Sequence, residues 1–194
     1  NVTEYSGNTS YFDTDTTFNH NYSYGLDAGA STELQTPSGM YRTGSLIPRD
    51  TTIRFYQYMD AAAEDEPCTF FAVGGVGNNY AVCLDQYPIE KLIIAKNVTS
   101  NDGSGTVLAS TTVTYATGWY EVRVNWLSSG NTINVTVYDS TGATFATLNT
   151  TDSSHTSAGG MGFGFWYQHG GWDFYSARPY VSSQPSYIFG AEQV

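Results

Sequence analysis

The chain has 194 residues, enough for one β-sandwich or barrel with a real core. Aromatic residues make up 15% and charged residues only 13%, a balance that favours strands and turns over helices. Seven Lys and Arg stand against eighteen Asp and Glu, a formal net charge of −11, so a nucleic-acid backbone or an anionic membrane would be repelled.

Residues 1–30, NVTEYSGNTSYFDTDTTFNHNYSYGLDAGA, are polar, dotted with tyrosine and without clear periodicity. They predict an extended N-terminal segment, draped over the domain of residues 31–194 or donated to a neighbour as an edge strand. Asp13 and Asp15 in DTDTT, and Asn101 and Asp102 in SNDGSG, have the oxygen-rich look of a calcium loop. Neither run completes a twelve-residue calcium motif, so solvated turns are expected at both.

Strand signals become regular from Gly39 onward. Residues 52–58 (TIRFYQY) alternate, and residues 61–66 (AAAEDE) read as an acidic connector or helical turn before Pro67. Cys68 and Cys83 flank FFAVGGVGNNYAV, two short strands around a Gly-rich turn. Across such a hairpin they either close a small disulfide loop or sit as two buried thiols. Residues 91–97 (KLIIAKN) and 106–114 (TVLASTTVT) are further strands, separated by a Gly/Ser/Asn/Asp turn.

The clearest pattern is WYEVRVNW at 119–126. Tyr120, Val122, Val124 and Trp126 fall on one face, and Glu121, Arg123 and Asn125 on the other, as in a half-buried antiparallel strand. After the turn SSGN, Ile133, Val135 and Val137 face inward while Asn134, Thr136 and Tyr138 face out; DSTG turns the chain again, and residues 143–149 return. In residues 159–165, Met161, Phe163 and Phe165 alternate with Gly160, Gly162 and Gly164, and a second strand leaves from Gly171. The bare glycine face serves tight sheet packing or a ligand platform.

Trp166, Tyr167, His169, Trp172 and Tyr175 gather around that Gly-Gly turn. Sugars stack on aromatic rings while polar groups hold their hydroxyls, which makes Trp166, Trp172, Tyr175 and His169 the glycan-binding candidates. Alternation places Trp172 and Phe174 opposite Asp173 and Tyr175, so half of these rings belong to the core. Arg178 is expected to pair with a nearby carboxylate. Six N-x-Ser/Thr sequons, at Asn1, Asn8, Asn21, Asn97, Asn134 and Asn149, lean toward a secreted, N-glycosylated protein. No apolar run approaches a membrane span, and no cleavable signal opens the chain, as expected of a mature secreted product or an excised domain.

The run GWYEVRVNWLSSGNTINVTVYDSTGATFATLNTTDSSHTSAGGMGFGFW, followed by GGWDFYSARPYVSSQPSYIFGAEQ, resembles the concanavalin A-like lectin/glucanase superfamily. It is similar to an uncharacterised domain family of secreted archaeal and bacterial proteins, with their Trp-Tyr strand, D-x-x-G hairpin, glycine-rich strand, Asp-aromatic strand and closing Arg-x-Tyr. The resemblance covers residues 39–193 and implies an all-β jelly-roll sandwich of two antiparallel sheets. Relatives in that superfamily include glucanases with paired carboxylates in an E-x-D-x-x-E strand, a pattern no strand here carries. Glu64, Asp65 and Glu66 are consecutive and diverge before Pro67. His20, His155 and His169 lack zinc spacing, and no Gly-x-Ser-x-Gly elbow occurs.

The sequence therefore predicts a protein that is not an enzyme. In related folds an acidic residue near the position of Asp173 often assists calcium binding or pins a loop, so calcium is the one cofactor considered, with Asp173 as its candidate ligand. The leading expectation is an extracellular structural or adhesive subunit of a filament, pilus-like fibre or coat, self-associating through edge strands or terminal segments. The alternative is a carbohydrate-binding module of a larger secreted protein.

Overall fold

A computed structural model describes residues 3–6, 13–15, 25–27, 38–60, 67–85, 88–99, 105–165 and 171–182. The described strands, in chain order, are β1 (Thr3–Ser6), β2 (Asp13–Asp15), β3 (Gly25–Asp27), β4 (Ser38–Ile47), β5 (Thr51–Met59), β6 (Cys68–Gly75) and β7 (Asn78–Asp85). They continue with β8 (Lys91–Lys96), β9 (Thr106–Thr112), β10 (Gly118–Trp126), β11 (Thr132–Tyr138), β12 (Thr144–Thr151), β13 (Gly159–Phe165) and β14 (Gly171–Pro179). They form two seven-stranded sheets: a back sheet, β1-β4-β13-β6-β7-β8-β9, and a front sheet, β12-β11-β10-β5-β14-β3-β2. Every pairing is antiparallel, as the sequence predicts.

The core sits between the sheets and follows the two-residue rhythm of the front strands. β5 and β10 pair without interruption from Gly118 opposite Met59 to Trp126 opposite Thr51. Ile53, Phe55, Met59, Tyr120, Val122, Val124 and Trp126 all point inward and are buried. A fully buried side chain of this size stabilises by about 1.5–3 kcal/mol, so a one-residue slip would forfeit the whole set.

The back sheet behaves differently. In β6, β7 and β8 burial is nearly continuous, because Phe71, Tyr80, Val82, Leu92 and Ile94 face the core while Cys68, Phe70, Ala81, Cys83, Ile93 and Ala95 form a second buried cluster on the other face. Cys68 and Cys83 lie directly opposite each other there and are joined in a disulfide. The β13 glycines serve this second face. A Cβ on Gly162 would come within 2.6 Å of the Met40 carbonyl and 3.1 Å of the Phe70 ring, and one on Gly160 within 1.6 Å of the Arg42 carbonyl. Gly160 and Gly162 thus allow close packing and offer no open platform.

Trp172 fastens the two sheets. Its ring packs on Phe163 at 5.5 Å, and its Nε1 donates to Thr69 Oγ1 of the back sheet at 3.1 Å. The leader's described strands pair within their own chain: β1 on β4, β3 on β14, and β2 on β3. Asp13 and Asp15 accordingly sit in a strand and not in the expected turn. Residues 61–66, with Glu64, Asp65 and Glu66, and the run holding Asn101 and Asp102 lie outside the described residues.

One core position breaks the apolar pattern. Gln57 is fully buried in register between Trp172 and Tyr120, and among the described residues neither its Nε2 nor its Oε1 has a hydrogen-bond partner. Burying an unpaired amide costs about 1–3 kcal/mol. Gln57→Leu should therefore raise the unfolding free energy by about that amount in a guanidinium titration; a midpoint that stays put or falls would refute this account.

Candidate functional site

The outward side chains of the front sheet form ordered rows, because directly paired residues share a face. The first row holds Trp119 beside Tyr58, their rings edge to face at 5.4 Å. In the second, Tyr138, Glu121, Tyr56 and Asp173 follow one another across β11, β10, β5 and β14. Thr147, Thr136, Arg123, Arg54 and Ser176 make the third, and Asn149, Asn134, Asn125, Thr52 and Arg178 the fourth. Aromatic rings at one end thus grade into hydroxyls, guanidiniums and amides at the other.

The centre of this face is one carboxylate shared by two arginines. Arg54 Nε and Nη2 reach Glu121 Oε1 and Oε2 at 2.8 and 2.9 Å, and Arg123 Nε donates to the same Oε1. The Tyr56 hydroxyl donates to Glu121 Oε2 at 3.1 Å, and Arg123 lies 4.5 Å over the Tyr138 ring. Burial alone would raise the Glu121 carboxyl, but the hydrogen bonds and charges of Arg54 and Arg123 outweigh it and bring it down to about 2. The hydrogen bond to Glu121 in turn holds the Arg54 guanidinium above its usual range.

Beyond the first row, the front sheet ends in a cleft of about 240 Å³ lined by Thr117, Trp119, Asp139, Ser140, Thr141 and Phe145. One wall is the segment before β10, fixed by the Tyr120 hydroxyl, which accepts from Ala116 N at 2.8 Å and donates to Ala116 O at 3.0 Å. The other is the β11–β12 turn. There Asp139 Oδ1 accepts from Thr141 N, Thr141 Oγ1 and Ala143 N, and these bonds, the Thr141 hydroxyl first, hold its carboxyl low. Among the described residues Oδ2 of Asp139 accepts no hydrogen bond, which leaves an acceptor at the cleft. A ring wall, hydroxyl donors and a carboxylate acceptor are what a sugar ring takes.

The residues singled out from sequence are placed elsewhere. Trp172 is 2% exposed and holds the sheets together, so its ring presents no face to a ligand. Tyr175 stacks on Phe55 at 5.9 Å and meets Phe163 edge to face, with its hydroxyl buried and without a hydrogen-bond partner among the described residues; burial pushes that hydroxyl's pKa up. A bulge in β14 between Asp173 and Ser176 explains the misplacement, since it breaks the alternation that set Tyr175 opposite Trp172. Trp166 and His169 lie outside the described residues, as do His20 and the sequons at Asn1, Asn8 and Asn21. Asp173 faces outward beside Tyr56 at 7% exposure. Among the described residues no three His, Cys, Asp or Glu side chains converge around Asp173 or elsewhere.

Arg178 is exposed and makes no hydrogen bond or ion pair among the described residues, contrary to the expected carboxylate partner. Of the described sequons, Asn97 bonds through Oδ1 to His155 Nε2 at 2.9 Å. Asn134 and Asn149 stand opposite each other and share a side-chain hydrogen bond. A glycan on either would lie beside the arginine row. Tyr56, Tyr58, Trp119, Tyr138 and the Arg–Glu–Arg group were missed as a site, although the alternation in residues 52–58 and 119–126 sets them on the outward face.

No family model matches the sequence, and no curated protein does. Solved structures share the fold. The carbohydrate-binding module CBM66 from Bacillus subtilis superposes with a TM-score of 0.59 at 11% identity, over 91% of this chain and 94% of that one. Lectin II from Ulex europaeus gives 0.57 at 10% identity, over 91% and 92%. The exoplasmic/lumenal domain of VIP36, in its Ca2+/Man3GlcNAc-bound form, gives 0.60 at 11% identity, over 95% and 85%. The fold is thus the concanavalin A-like jelly-roll sandwich.

The shared carboxylate has a pH signature. Glu121 is held near pH 2 in the folded chain against an ordinary value of 4.5, so its contribution is present above pH 4.5 and is lost as pH falls toward 2. With solvent screening of the half-open arginines, Glu121→Gln should lower stability at pH 7 by about 1–2 kcal/mol. Denaturant titrations should show that gap closing between pH 5 and pH 2; a gap constant across the range would contradict the assignment.

Proposed function

We propose that the chain is a non-catalytic glycan-binding module whose site is the front face together with its rim cleft. The carrying observation is the group of half-buried rings Tyr58, Trp119 and Tyr138 beside a cleft that offers threonine hydroxyls and Asp139. Aromatic rings supply stacking area, and the hydroxyl and carboxylate groups fix orientation. The likeness to folds named as carbohydrate-binding modules and lectins supports this reading. So does the state of Glu121: a glycosidase acid needs a raised pKa, whereas this carboxylate is pinned ionised between two arginines.

The disulfide and the six sequons support display outside the cell, with Asn97, Asn134 and Asn149 as the accessible acceptors. The assembly reading has less behind it, because the described leader strands spend their main-chain bonds on β4 and β14 of the same chain.

Native electrophoresis through gels containing soluble neutral and acidic polysaccharides tests the proposal. At least one polymer should retard the protein, and Trp119→Ala or Tyr138→Ala, each checked for an intact melt, should weaken that retention about two- to tenfold. Free migration through every polymer would dispose of the reading.

A further inference from the structure

The third row of the front face carries a charge arrangement that packing does not require. Arg123 and Arg54 lie directly opposite each other on neighbouring strands, a placement that is destabilising for like charges. One carboxylate, Glu121, serves both. Arg123 uses only its Nε in hydrogen bonding; among the described residues its two terminal nitrogens have no acceptor, and its side chain is 35% exposed. Arg178, one row on, is exposed and makes no ion pair among the described residues. Three of the chain's seven basic residues thus stand on one sheet face, in a protein with a net charge of −11. From β12 to β14 that face holds two carboxylates, Glu121 and the largely buried Asp173, and in register beyond them Asp27 of β3 lies opposite Gly171 and Asp13 of β2 opposite Asp27.

We propose that the front face selects a hexuronate-containing polysaccharide, with Arg123 and Arg178 taking sugar carboxylates. This deepens the glycan-binding reading and rests on it. The planar guanidinium presents paired N–H donors that match a carboxylate in a two-point contact. Glu121 holds the Nε edges of Arg54 and Arg123, which orients Arg123 and leaves its terminal edge to the ligand. Thr136 and Thr147 on one side of the arginines and Ser176 on the other offer hydroxyls to the neighbouring sugar hydroxyls. Five adjacent strands put this row at about 19 Å, room for several sugar units in line. The half-buried ring of Tyr138 flanks it for stacking.

The test is calorimetric titration of the intact chain with polygalacturonate, a neutral galactan and dextran sulfate, at fixed moderate salt. Polygalacturonate should bind most tightly. Arg178→Gln, which removes no hydrogen bond or ion pair among the described residues, should weaken it about tenfold, the weight of one charge-assisted contact, and leave any galactan binding within about twofold; Arg123→Gln should likewise weaken polygalacturonate about tenfold. If galactan binds as tightly as polygalacturonate, or if both arginine variants bind polygalacturonate like the parent, the inference falls while glycan binding stands. If dextran sulfate matches polygalacturonate and loses affinity equally in the variants, the site reads charge alone and the commitment to a uronate is wrong. If no polymer binds, the glycan-binding reading falls and takes the inference with it.

Discussion

The structure depends on the register between β5 and β10. Nine consecutive residues of each strand are paired without a bulge, so one alignment decides which side chains enter the core and which face outward. Because the side-chain period is two, those sets cannot be adjusted separately. The pairing that buries Phe55 beside Val122 also sets Arg54 opposite Arg123 and Tyr56 opposite Glu121. Every apolar contact that holds the register therefore also holds the arginine pair in place, against a repulsion that would otherwise part it.

The back sheet gives that pairing something firm to press on. Its central strands are buried on both faces, with the Cys68–Cys83 disulfide and Phe70 on one side and Phe71, Tyr80 and Leu92 on the other. Strands in that position cannot slide toward solvent without exposing one cluster or the other. Glycine makes this possible in β13, where side chains on Gly160 and Gly162 would strike the backbone of β4. Trp172 then spans the interior to Thr69. The front face is consequently a fixed surface, and a rigid array loses less entropy on meeting a ligand than a mobile loop does.

Much of the sandwich was legible in the sequence because alternation reports burial directly. WYEVRVNW and the strand after SSGN divide in the folded chain as their patterns say, whereas TIRFYQY alternates only as far as Phe55 before Tyr56 and Gln57 are both buried. Doubly buried strands hide that signal: in CTFFAV and KLIIAK both faces are apolar, and a continuous run reveals the strand without saying what lies on each side. The site was harder to find. Rings crowded near a Gly-Gly turn suggested a sugar platform, yet Trp172 is a core ring, and the β14 bulge turns Tyr175 inward as well. Tyr58, Trp119 and Tyr138 are scattered over three strands, and only the pairing brings them near one another. Sequence shows which residues face out of each strand, but not which outward residues become neighbours.

The net charge of −11 is compatible with an acidic ligand on this face. Charges more than about 8–10 Å apart across solvent are largely screened at physiological ionic strength, so a carboxylate near the third row responds mainly to the charges of its own neighbourhood. Across β10, β5 and β14 it meets Arg54, Arg123 and Arg178 against Glu121 and Asp173, with Asp27 and Asp13 in register on the adjoining strands, and Glu121 is already engaged by two of the arginines. At a distance the acidic surface acts the other way, repelling polyanions that lack the matching contacts and slowing their approach. Selectivity then comes from the two ranges together: general repulsion turns away an unspecific polyanion, and a short-range two-point contact retains a ligand whose carboxylates match the spacing of the arginines.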